Sequence, residues 1–400
     1  MPRILIQNGR VIDPSQEVDR VTSLLIEDGR IAGYDVAPDE QMEVIDATDR
    51  IVAPGLIDIH VHLREPGREE DERIATGTAA ALAGGFTSIA CCPNTEPPID
   101  SQGTVEFVQH QAALADNSNV FVIACVSKNR EGKELAEIGQ LVAAGAVAVS
   151  DDGSPVSDAE LMRRAFEYCL MFDIPVANHA EILELTRHGV MHEGTTSLIL
   201  GLGGIPAGAE DVMTARDIAL AESTGGRLHV MHVSTGGSIH AIRRAKRRGV
   251  RVTAEVTPHH FTLTDESLRS FDSNFKMSPP LRGQGHVDAC IEALQDGTID
   301  VIATDHAPHT EFEKRQLDFA SAPFGITGLE TALPSMFHYF IKRGRLSWQQ
   351  FVKRYAAEPR RILKMDPVEV AEGGIADLVL FDPEGSSTFS EDFMKSKASN

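Results

Sequence analysis

The chain has 400 residues, of which 42% are hydrophobic and 24% charged, which is ordinary for a globular enzyme and enough for a large domain plus a smaller one. Its formal net charge of −22 argues against nucleic acid or an anionic membrane as a partner, although a local cationic pocket could still bind an anionic substrate. No apolar run is long enough to span a bilayer, and no signal-peptide pattern opens the chain. The five cysteines form no CxxC pair, which is typical of proteins in the reducing cytoplasm, and we expect this protein there.

The first part of the chain carries only short strand signals. They lie at 3–8, 22–26, 31–34 and 43–46. Asn8-Gly9 and Asp28-Gly29 are predicted as turns between them. Such an all-β unit is too small for a core of its own, and a turn followed by a strand recurs at 373–381. We therefore predict one β-sandwich domain built from both chain ends, residues 1–53 and 366–400.

Strand and helix signals alternate through the long segment between these ends. The strand signals lie at 56–63, 87–92, 119–126, 146–151, 175–180, 228–234, 251–257 and 300–305. The helical patterns lie at 73–83, 133–144, 158–172, 209–223, 238–248, 286–295, 329–342 and 348–357. Eight β-then-α units in about 300 residues predict an α/β fold, a (β/α)8 TIM barrel over residues 54–365. A doubly wound open sheet is the alternative, but no GxGxxG fingerprint follows the first of these strands.

Two histidines lie in the first barrel strand, within the sequence LIDIHVHLR at 56–64. Side chains alternate along a strand, so we expect Asp58, His60 and His62 on one face and Ile57, Ile59 and Val61 on the other. Two imidazoles on one face of a rigid strand can bind one metal ion, and neutral imidazole suits zinc. The alternative is a pair of histidines that only pack in the core.

Further histidines and carboxylates lie where other predicted strands end, which is where a barrel carries its active site. They are Asp151 and Asp152 at the end of the fourth strand, His179 at the end of the fifth, His232 at the end of the sixth, and Asp305, His306 and His309 at the end of the eighth. Core histidines would rarely fall by chance at so many strand ends. Four histidines with two carboxylates exceed what one zinc ion takes, so the pattern predicts two metal ions and a bridging carboxylate.

The fourth strand leaves a choice between two adjacent aspartates. Alternation places Asp152 on the face of Ala148 and Ser150, whereas Asp151 falls with Val149 on the side that suits helix packing. We favour Asp152 as the bridging carboxylate. Asp151 would then either contact the metal-binding residues from outside the site or have a purely structural role.

Eight stretches of the chain together resemble the dihydroorotase family, zinc-dependent members of the amidohydrolase superfamily. They are DIHVHLREPG at 58–67, GGFTSIACCPNT at 84–95, SDDG at 150–153, NHAE at 178–181, HVS at 232–234, FKMSPPLR at 275–282, ATDHAPH at 303–309 and APFG at 322–325. The likeness covers nearly the whole chain, and the joint occurrence of these motifs is specific. The resemblance implies the same barrel with a two-ended β-sandwich.

The resemblance also implies a metal site with two Zn2+ ions per chain. The first ion would be held by His60, His62 and Asp305, the second by His179 and His232, and Asp152 would bridge them. Many relatives bridge with a carbamylated lysine on the fourth strand. This chain has no lysine there and resembles the branch that uses aspartate.

The resemblance implies a set of substrate-binding residues as well. They are His62, Arg64, Asn94, Ser278, His309, Phe324 and Gly325. Arg64 and Asn94 would bind the substrate carboxylate, for which the planar guanidinium is suited; an ion pair with Glu65 or Glu69 is the alternative for Arg64. Ser278 stands where the family usually has asparagine, and its single hydroxyl cannot replace an amide. The corresponding substrate contact would be lost, bridged by water or supplied from elsewhere.

The activity implied is the reversible cyclisation of N-carbamoyl-L-aspartate to L-dihydroorotate and water, in de novo pyrimidine biosynthesis. In the hydrolytic direction a metal-bridging hydroxide would attack the ring amide, with Asp305 as general acid and base. The loop at 310–322 would either close over this small anionic substrate or be an ordinary mobile loop. The family likeness also suggests association with aspartate transcarbamoylase and a homo-oligomer.

Two other functions are compatible with these residues. One is a different cyclic-amide hydrolase, such as a hydantoinase, dihydropyrimidinase or allantoinase, although Arg64 and Asn94 favour a ring that bears a carboxylate. The other is a non-catalytic homologue that binds aspartate transcarbamoylase. Degenerate relatives typically lose the metal-binding histidines, and this chain keeps all four.

Overall fold

Strands from both ends of the chain pair in one six-stranded sheet in this computed structural model, which describes residues 3–390 and 393–400. Its strands are β1 (Arg3–Asp13), β2 (Val18–Glu27), β3 (Arg30–Tyr34), β4 (Met42–Asp46), β5 (Ile51–Pro54) and, from the far end, β16 (Leu378–Phe381). The order is β16-β5-β1-β2-β3, and β4 also pairs with β1. An apolar cluster of its own fills this unit and includes Val370. The C-terminal part thus completes a core that the N-terminal strands share; the exact domain limits stay a prediction.

One predicted turn in this sheet is wrong. β1 does not end at Asn8-Gly9 but continues to Asp13, and its pairing with β2 shifts register between Ile6 and Gly9. Asn8 has a positive φ of 61°, a conformation that asparagine tolerates better than most residues. The pair therefore forms an irregularity within a strand, because its turn-like backbone is compatible with continued pairing on both sides.

Eight parallel strands form the barrel, in chain order around the sheet. They are β6 (Leu56–Val61), β7 (Phe86–Cys91), β8 (Asn119–Ala124), β9 (Ala146–Val149), β10 (Val176–Asn178), β13 (Leu228–Val230), β14 (Val252–Val256) and β15 (Val301–Ile302). Beyond β15, the N–H of His62 donates to the carbonyl of His306 at 2.9 Å and links the last strand to the first. The predicted barrel is confirmed. Two short strands, β11 (Met191–His192) and β12 (Gly204–Ile205), pair in the connection after β10.

Helices occupy the connections between the strands. They are α1 (Ile74–Ala83), α2 (Gln102–Ala115), α3 (Ile138–Ala143), α4 (Ala159–Leu170), α5 (Leu183–Thr186), α6 (Thr195–Leu200), α7 (Gly208–Thr224), α8 (Gly236–Arg247), α9 (Pro258–Thr262), α10 (Gln284–Asp296), α11 (Ala332–Met336), α12 (Trp348–Val352) and α13 (Glu358–Ile362). π-helical turns follow α11 and α12 over Phe337–Ile341 and Lys353–Ala357. None of the helices in the described part of the chain is long and apolar enough to cross a membrane.

The side chains of β6 do not follow strict alternation. Ile57 and Ile59 pack in the cluster inside the barrel, whereas Val61 packs in the larger cluster that joins strands to helices. The pairing of β6 with β7 shifts register between Asp58 and Val61. The expectation of one shared face for Ile57, Ile59 and Val61 was therefore wrong. This irregularity falls where the strand delivers His60 and His62 to the end of the barrel.

Candidate metal centre

Six side chains from five strands meet at the C-terminal end of the barrel. His60 lies within β6, one residue before its end, and the others follow strands: His62 after β6, Asp152 after β9, His179 after β10, His232 after β13 and Asp305 after β15. All six are buried, with at most 4% of any residue exposed. The barrel therefore brings together side chains that lie up to 245 positions apart in sequence, from 60 to 305.

Asp152 lies at the middle of this group. Its Oδ1 atom is 3.7 Å from His60 Nε2 and 3.6 Å from both His179 Nδ1 and His232 Nε2, and its Oδ2 atom is 3.5 Å from His62 Nε2. These separations are longer than hydrogen bonds, so the carboxylate faces four imidazoles without bonding to them. Burial alone would raise the pKa of Asp152, but the facing imidazoles hold it well below its usual value.

Asp305 approaches the same group from the last strand. Its Oδ1 atom lies 2.9 Å from His62 Nε2 and 3.3 Å from His60 Nε2. Burial opposes its charge, but the neighbouring histidines lower the pKa of Asp305 to about 2. The side chain is therefore an ionised carboxylate at neutral pH, able to bind a cation or accept a proton.

Hydrogen bonds on the outer nitrogens orient three of the imidazoles. His60 Nδ1 lies 2.5 Å from Glu255 Oε1, His62 Nδ1 lies 2.7 Å from Asn94 Oδ1, and His179 Nε2 lies 3.0 Å from Glu181 Oε2. Each of these oxygens is an acceptor, so the neutral ring carries its proton on the outer nitrogen. The inner nitrogen of each ring then presents a lone pair to the centre, as a metal-binding histidine does.

Two inward-facing atoms in this part of the structure lack a hydrogen-bond partner, His60 Nε2 and Asp152 Oδ1. Buried polar atoms are normally paired, and imidazole nitrogens with carboxylate oxygens are the ligands that zinc takes. Three overlapping groups have ligand atoms within 4.8 Å of one another: His60, His62, Cys92 and Asp152; His60, His232 and Asp305; and Asp152, His179 and His232. The residues present thus fit bound metal ions.

The centre also favours positive charge electrostatically. Burial opposes a charge on His179, yet Asp152 and Glu181 raise the pKa of this imidazole to about 10. The same carboxylates would attract a metal cation in place of that proton. Metal binding and protonation therefore compete for the same lone pair.

The structure assigns Asp151 a position away from this centre. Its carboxylate accepts hydrogen bonds from the N–H groups of Val126 at 2.8 Å and Ser127 at 3.1 Å, and from the Ser127 hydroxyl. It thus fixes the segment that follows β8. Of the two adjacent aspartates, only Asp152 faces the four histidines.

Glu255 on β14 is a residue that sequence analysis missed. It is completely buried and lies 2.5 Å from His60 Nδ1 and 3.0 Å from His229 Nε2, and it accepts the N–H of His232 at 3.1 Å. Burial opposes its ionisation, but the charge of His60 holds the pKa of Glu255 well below its usual value. A lone glutamate inside the apolar strand VTAEV was the available signal. Glu255 thus links His60 to the backbone of His232.

Replacing Glu255 by glutamine should weaken metal binding by about 10- to 100-fold, which is typical when an outer partner of a metal-binding histidine is lost. Glutamine keeps the shape but places an amide where His60 and His232 need a pure acceptor. Titration against a chelating indicator measures the affinity. Glu330→Gln is the matched control, because this buried glutamate contacts the backbone of Lys395 instead. Equal metal affinity in Glu255→Gln and the control would contradict this role.

A cavity of about 390 Å³ opens beside the centre. It is lined by six of the seven predicted substrate-binding residues: His62, Arg64, Asn94, Ser278, His309 and Phe324. Gly325 lies next to this wall; a Cβ atom there would come within 2.5 Å of the Ala307 carbonyl and 2.6 Å of His309 Cδ2. Glycine is therefore required at this position for close packing. Glu181 and Arg187, which sequence analysis did not assign to substrate, also line the cavity.

Arg64 places a positive charge in this cavity. It is 6% exposed; its Nε donates to the Pro308 carbonyl at 3.2 Å, and one of its terminal nitrogens lies 3.4 Å from His309 Nε2. Burial lowers the pKa of Arg64 to about 10, so the guanidinium stays charged at neutral pH. Within the described residues no salt bridge forms between Arg64 and Glu65 or Glu69. A buried cation without a carboxylate partner suits an anionic ligand.

His309 lines the cavity beside Arg64, and Asn400 supports it from behind. His309 Nε2 donates to the carbonyl of Phe324 at 2.8 Å, and burial together with the charge of Arg64 lowers the pKa of His309 to about 3, so this ring is neutral at pH 7. The Asn400 side chain accepts the N–H of His309 at 3.0 Å and donates to the carbonyls of Ala307 and Gly325. Asn400 thereby joins two parts of the loop after β15, a role with no signal in the sequence.

The chain is similar to known proteins both in sequence and in fold. A family model described as Dihydro-orotase-like matches residues 49–238. Dihydroorotases from Pelobacter propionicus and Geobacter metallireducens are 49% and 48% identical to the chain over 399 residues, each covering 99% of this chain and 94% of the relative. Among solved structures, L-hydantoinase from Arthrobacter aurescens has a TM-score of 0.88 at 23% identity, covering 100% of this chain and 91% of that one. D-hydantoinase from a Thermus species has a TM-score of 0.82 at 27% identity, covering 99% and 90%.

Proposed function

The chain belongs to the dihydroorotase family, and from this premise we propose that it catalyses the reversible cyclisation of N-carbamoyl-L-aspartate to L-dihydroorotate and water. The family consists of cyclic amidohydrolases. The observation that carries the choice of substrate is Arg64, a buried guanidinium in the same cavity as the candidate metal ligands, with no carboxylate partner among residues 3–390 and 393–400. N-Carbamoyl-L-aspartate and L-dihydroorotate each carry a carboxylate, and a guanidinium can bind both oxygens of a carboxylate.

We further propose a pair of zinc ions as the cofactor. His60, His62 and Asp305 would hold one ion and His179 and His232 the other, with Asp152 shared between them. The support is the converging lone pairs and the unpartnered His60 Nε2 and Asp152 Oδ1 atoms. When bound, such ions lower the pKa of water to about 7 and polarise a carbonyl oxygen.

Asp305 would carry the proton of the reaction. Its ionised carboxylate lies next to His62 at the edge of the cavity. In hydrolysis, the carboxylate takes the proton of the attacking water and delivers it to the ring nitrogen as the C–N bond breaks. In cyclisation, it takes the proton of the attacking carbamoyl nitrogen and gives it to the departing oxygen, and a second proton from solvent completes the water that leaves.

The other cavity residues would position the ring. Arg64 binds the substrate carboxylate with Asn94, whose Oδ1 atom also orients His62. The His309 imidazole is neutral and therefore does not compete with Arg64 for the substrate carboxylate. Phe324 and Gly325 form the wall against the substrate ring. Ser278 lines the cavity where relatives usually carry asparagine, so we propose that it contacts substrate directly or through water.

The cellular setting extends this proposal. Dihydroorotase activity places the chain in de novo pyrimidine biosynthesis, and its composition fits the cytoplasm. We also propose a homo-oligomer and an association with aspartate transcarbamoylase, both on family likeness. Size measurement of the purified protein alone and with the transcarbamoylase tests both.

A parallel assay tests the function. L-Dihydroorotate, hydantoin and allantoin are supplied separately to the purified protein, and metal is quantified in the same sample. We expect turnover of dihydroorotate and of N-carbamoyl-L-aspartate, at rates well above the other rings, with two zinc ions per chain. Faster turnover of hydantoin would favour the hydantoinase alternative, and no turnover with no metal would favour the non-catalytic one.

A further inference from the structure

Lys276 is a buried lysine that the reaction above does not use. It lies just before Met277 and Ser278 in the cavity wall, and only 1% of the residue is exposed. Its ammonium group donates to three carbonyls of the loop after β15: Phe319 at 2.9 Å, Ala320 at 2.8 Å and Ala322 at 2.6 Å. An ammonium has three N–H donors, so these contacts use all of them.

The same lysine also holds the end of this loop. Its backbone carbonyl accepts the N–H of Gly325 at 2.9 Å, and its Nζ atom lies 4.7 Å from the centre of the Phe324 ring. Lys276 therefore contacts the loop just before Phe324 and Gly325, and it also contacts these two residues, which are proposed to face the substrate ring. Both the backbone carbonyl and the ammonium group of Lys276 thus bind the loop.

Lys314, within the loop, makes the reverse connection. It is 3% exposed, and its ammonium donates to the carbonyls of Ser273 at 2.8 Å, Lys276 at 3.3 Å and Pro323 at 3.0 Å. In the described residues neither ammonium forms a salt bridge with a carboxylate. Burying an ammonium group is costly unless its donors are satisfied, and here they are satisfied only while the loop keeps this position.

We propose that Lys276 is a positioning residue for the substrate: it holds residues 319–325 as a fixed wall of the cavity, so that Phe324 and Gly325 are in place before the ring binds. This inference rests on the proposed function for the identity of the ring. On this inference the segment is neither the closing lid nor the ordinary mobile loop that the sequence left open, because buried ammonium groups hold it in one position. A wall that is already ordered spares the substrate the free energy of ordering it.

Lys276→Met tests this role through kinetics. Methionine keeps an unbranched chain of similar length and removes the three donors. We expect the KM for dihydroorotate to rise about tenfold while kcat changes by less than about twofold, because binding is lost equally in ground and transition states. Metal content should stay at the wild-type value. Lys364→Met is the matched control, since this lysine binds Asp173, which precedes β10 at the other end of the barrel. An unchanged KM in Lys276→Met would overturn the inference.

Hydrogen exchange of the unmodified enzyme gives a second test that does not depend on the variant folding. The N–H of Ala322 donates to Asp318 and the N–H of Gly325 to Lys276. We expect both amides to be protected without ligand and unchanged with an equilibrium mixture of substrate and product. Rapid exchange that slows only with ligand would show a lid and overturn the inference. If the wild type does not turn over dihydroorotate, the proposed function fails, while exchange in the ligand-free enzyme still decides whether the wall is fixed.

Discussion

Replacing Asp305 by asparagine should lower kcat by about 10²- to 10⁴-fold, the usual contribution of a general acid–base group. Asparagine keeps the shape and one oxygen that can face the metal, but it cannot take up a proton and release it again. The metal should therefore stay largely bound. Rates in both directions, with metal quantified in the same preparation, measure the two effects separately.

The control for this variant is Asp300→Asn. Asp300 precedes the same strand, β15, but binds Lys246 and the N–H of Ala254 away from the centre. This change should leave kcat within about twofold of the wild type, as expected of a residue outside the site. Near-normal turnover in Asp305→Asn would contradict the proton-transfer role, and loss of all metal would instead show that Asp305 acts mainly as a ligand.

Replacing Asp152 by asparagine should weaken metal binding at both positions by more than about 100-fold, because loss of a direct ligand exceeds the effect of losing an outer partner. Among the residues that the structure describes, Asp152 is the one carboxylate that faces all four histidines. An amide cannot supply two anionic oxygens to two cations. Competition with a chelating indicator gives the affinities, and activity should fall in parallel.

Asp151→Asn is the matched change at the adjacent position. Its carboxylate accepts only the Val126 and Ser127 groups, so asparagine should lower the free energy of unfolding by about 1–3 kcal/mol and leave metal bound. Thermal or urea unfolding measures the first effect and metal analysis the second. The reverse pattern, with metal lost from Asp151→Asn and kept in Asp152→Asn, would contradict the assignment.

The barrel could be predicted because its signals are local. Each strand is a short apolar run, and the candidate metal ligands follow directly after these runs, so chain order alone brings them to one end. Helix α2 was missed because only Val105 and Val108 among its fourteen residues are buried, which leaves almost no apolar period to detect. Alternation misplaced Val61 relative to Ile57 and Ile59, because the register shift between Asp58 and Val61 depends on how β7 pairs with β6.

The residues that support the site could not be predicted in the same way. Glu255 lies 195 positions from His60, and no local pattern relates the two. Lys276 looks like an ordinary surface lysine in the sequence, and its burial follows only from the path of the loop after β15. Asn400 meets Gly325 from the end of the sequence. These contacts join residues that are distant in sequence and become neighbours only when the whole barrel has folded.

The position of the metal ions themselves is the most direct test of the central proposal. Crystals of the zinc-loaded protein, measured at the zinc absorption edge, locate each ion by its anomalous signal. We predict two peaks, one among His60, His62 and Asp305 and one between His179 and His232, with the Asp152 carboxylate between them. A single peak in this centre, or a second peak elsewhere in a protein that carries two zinc ions per chain, would contradict it.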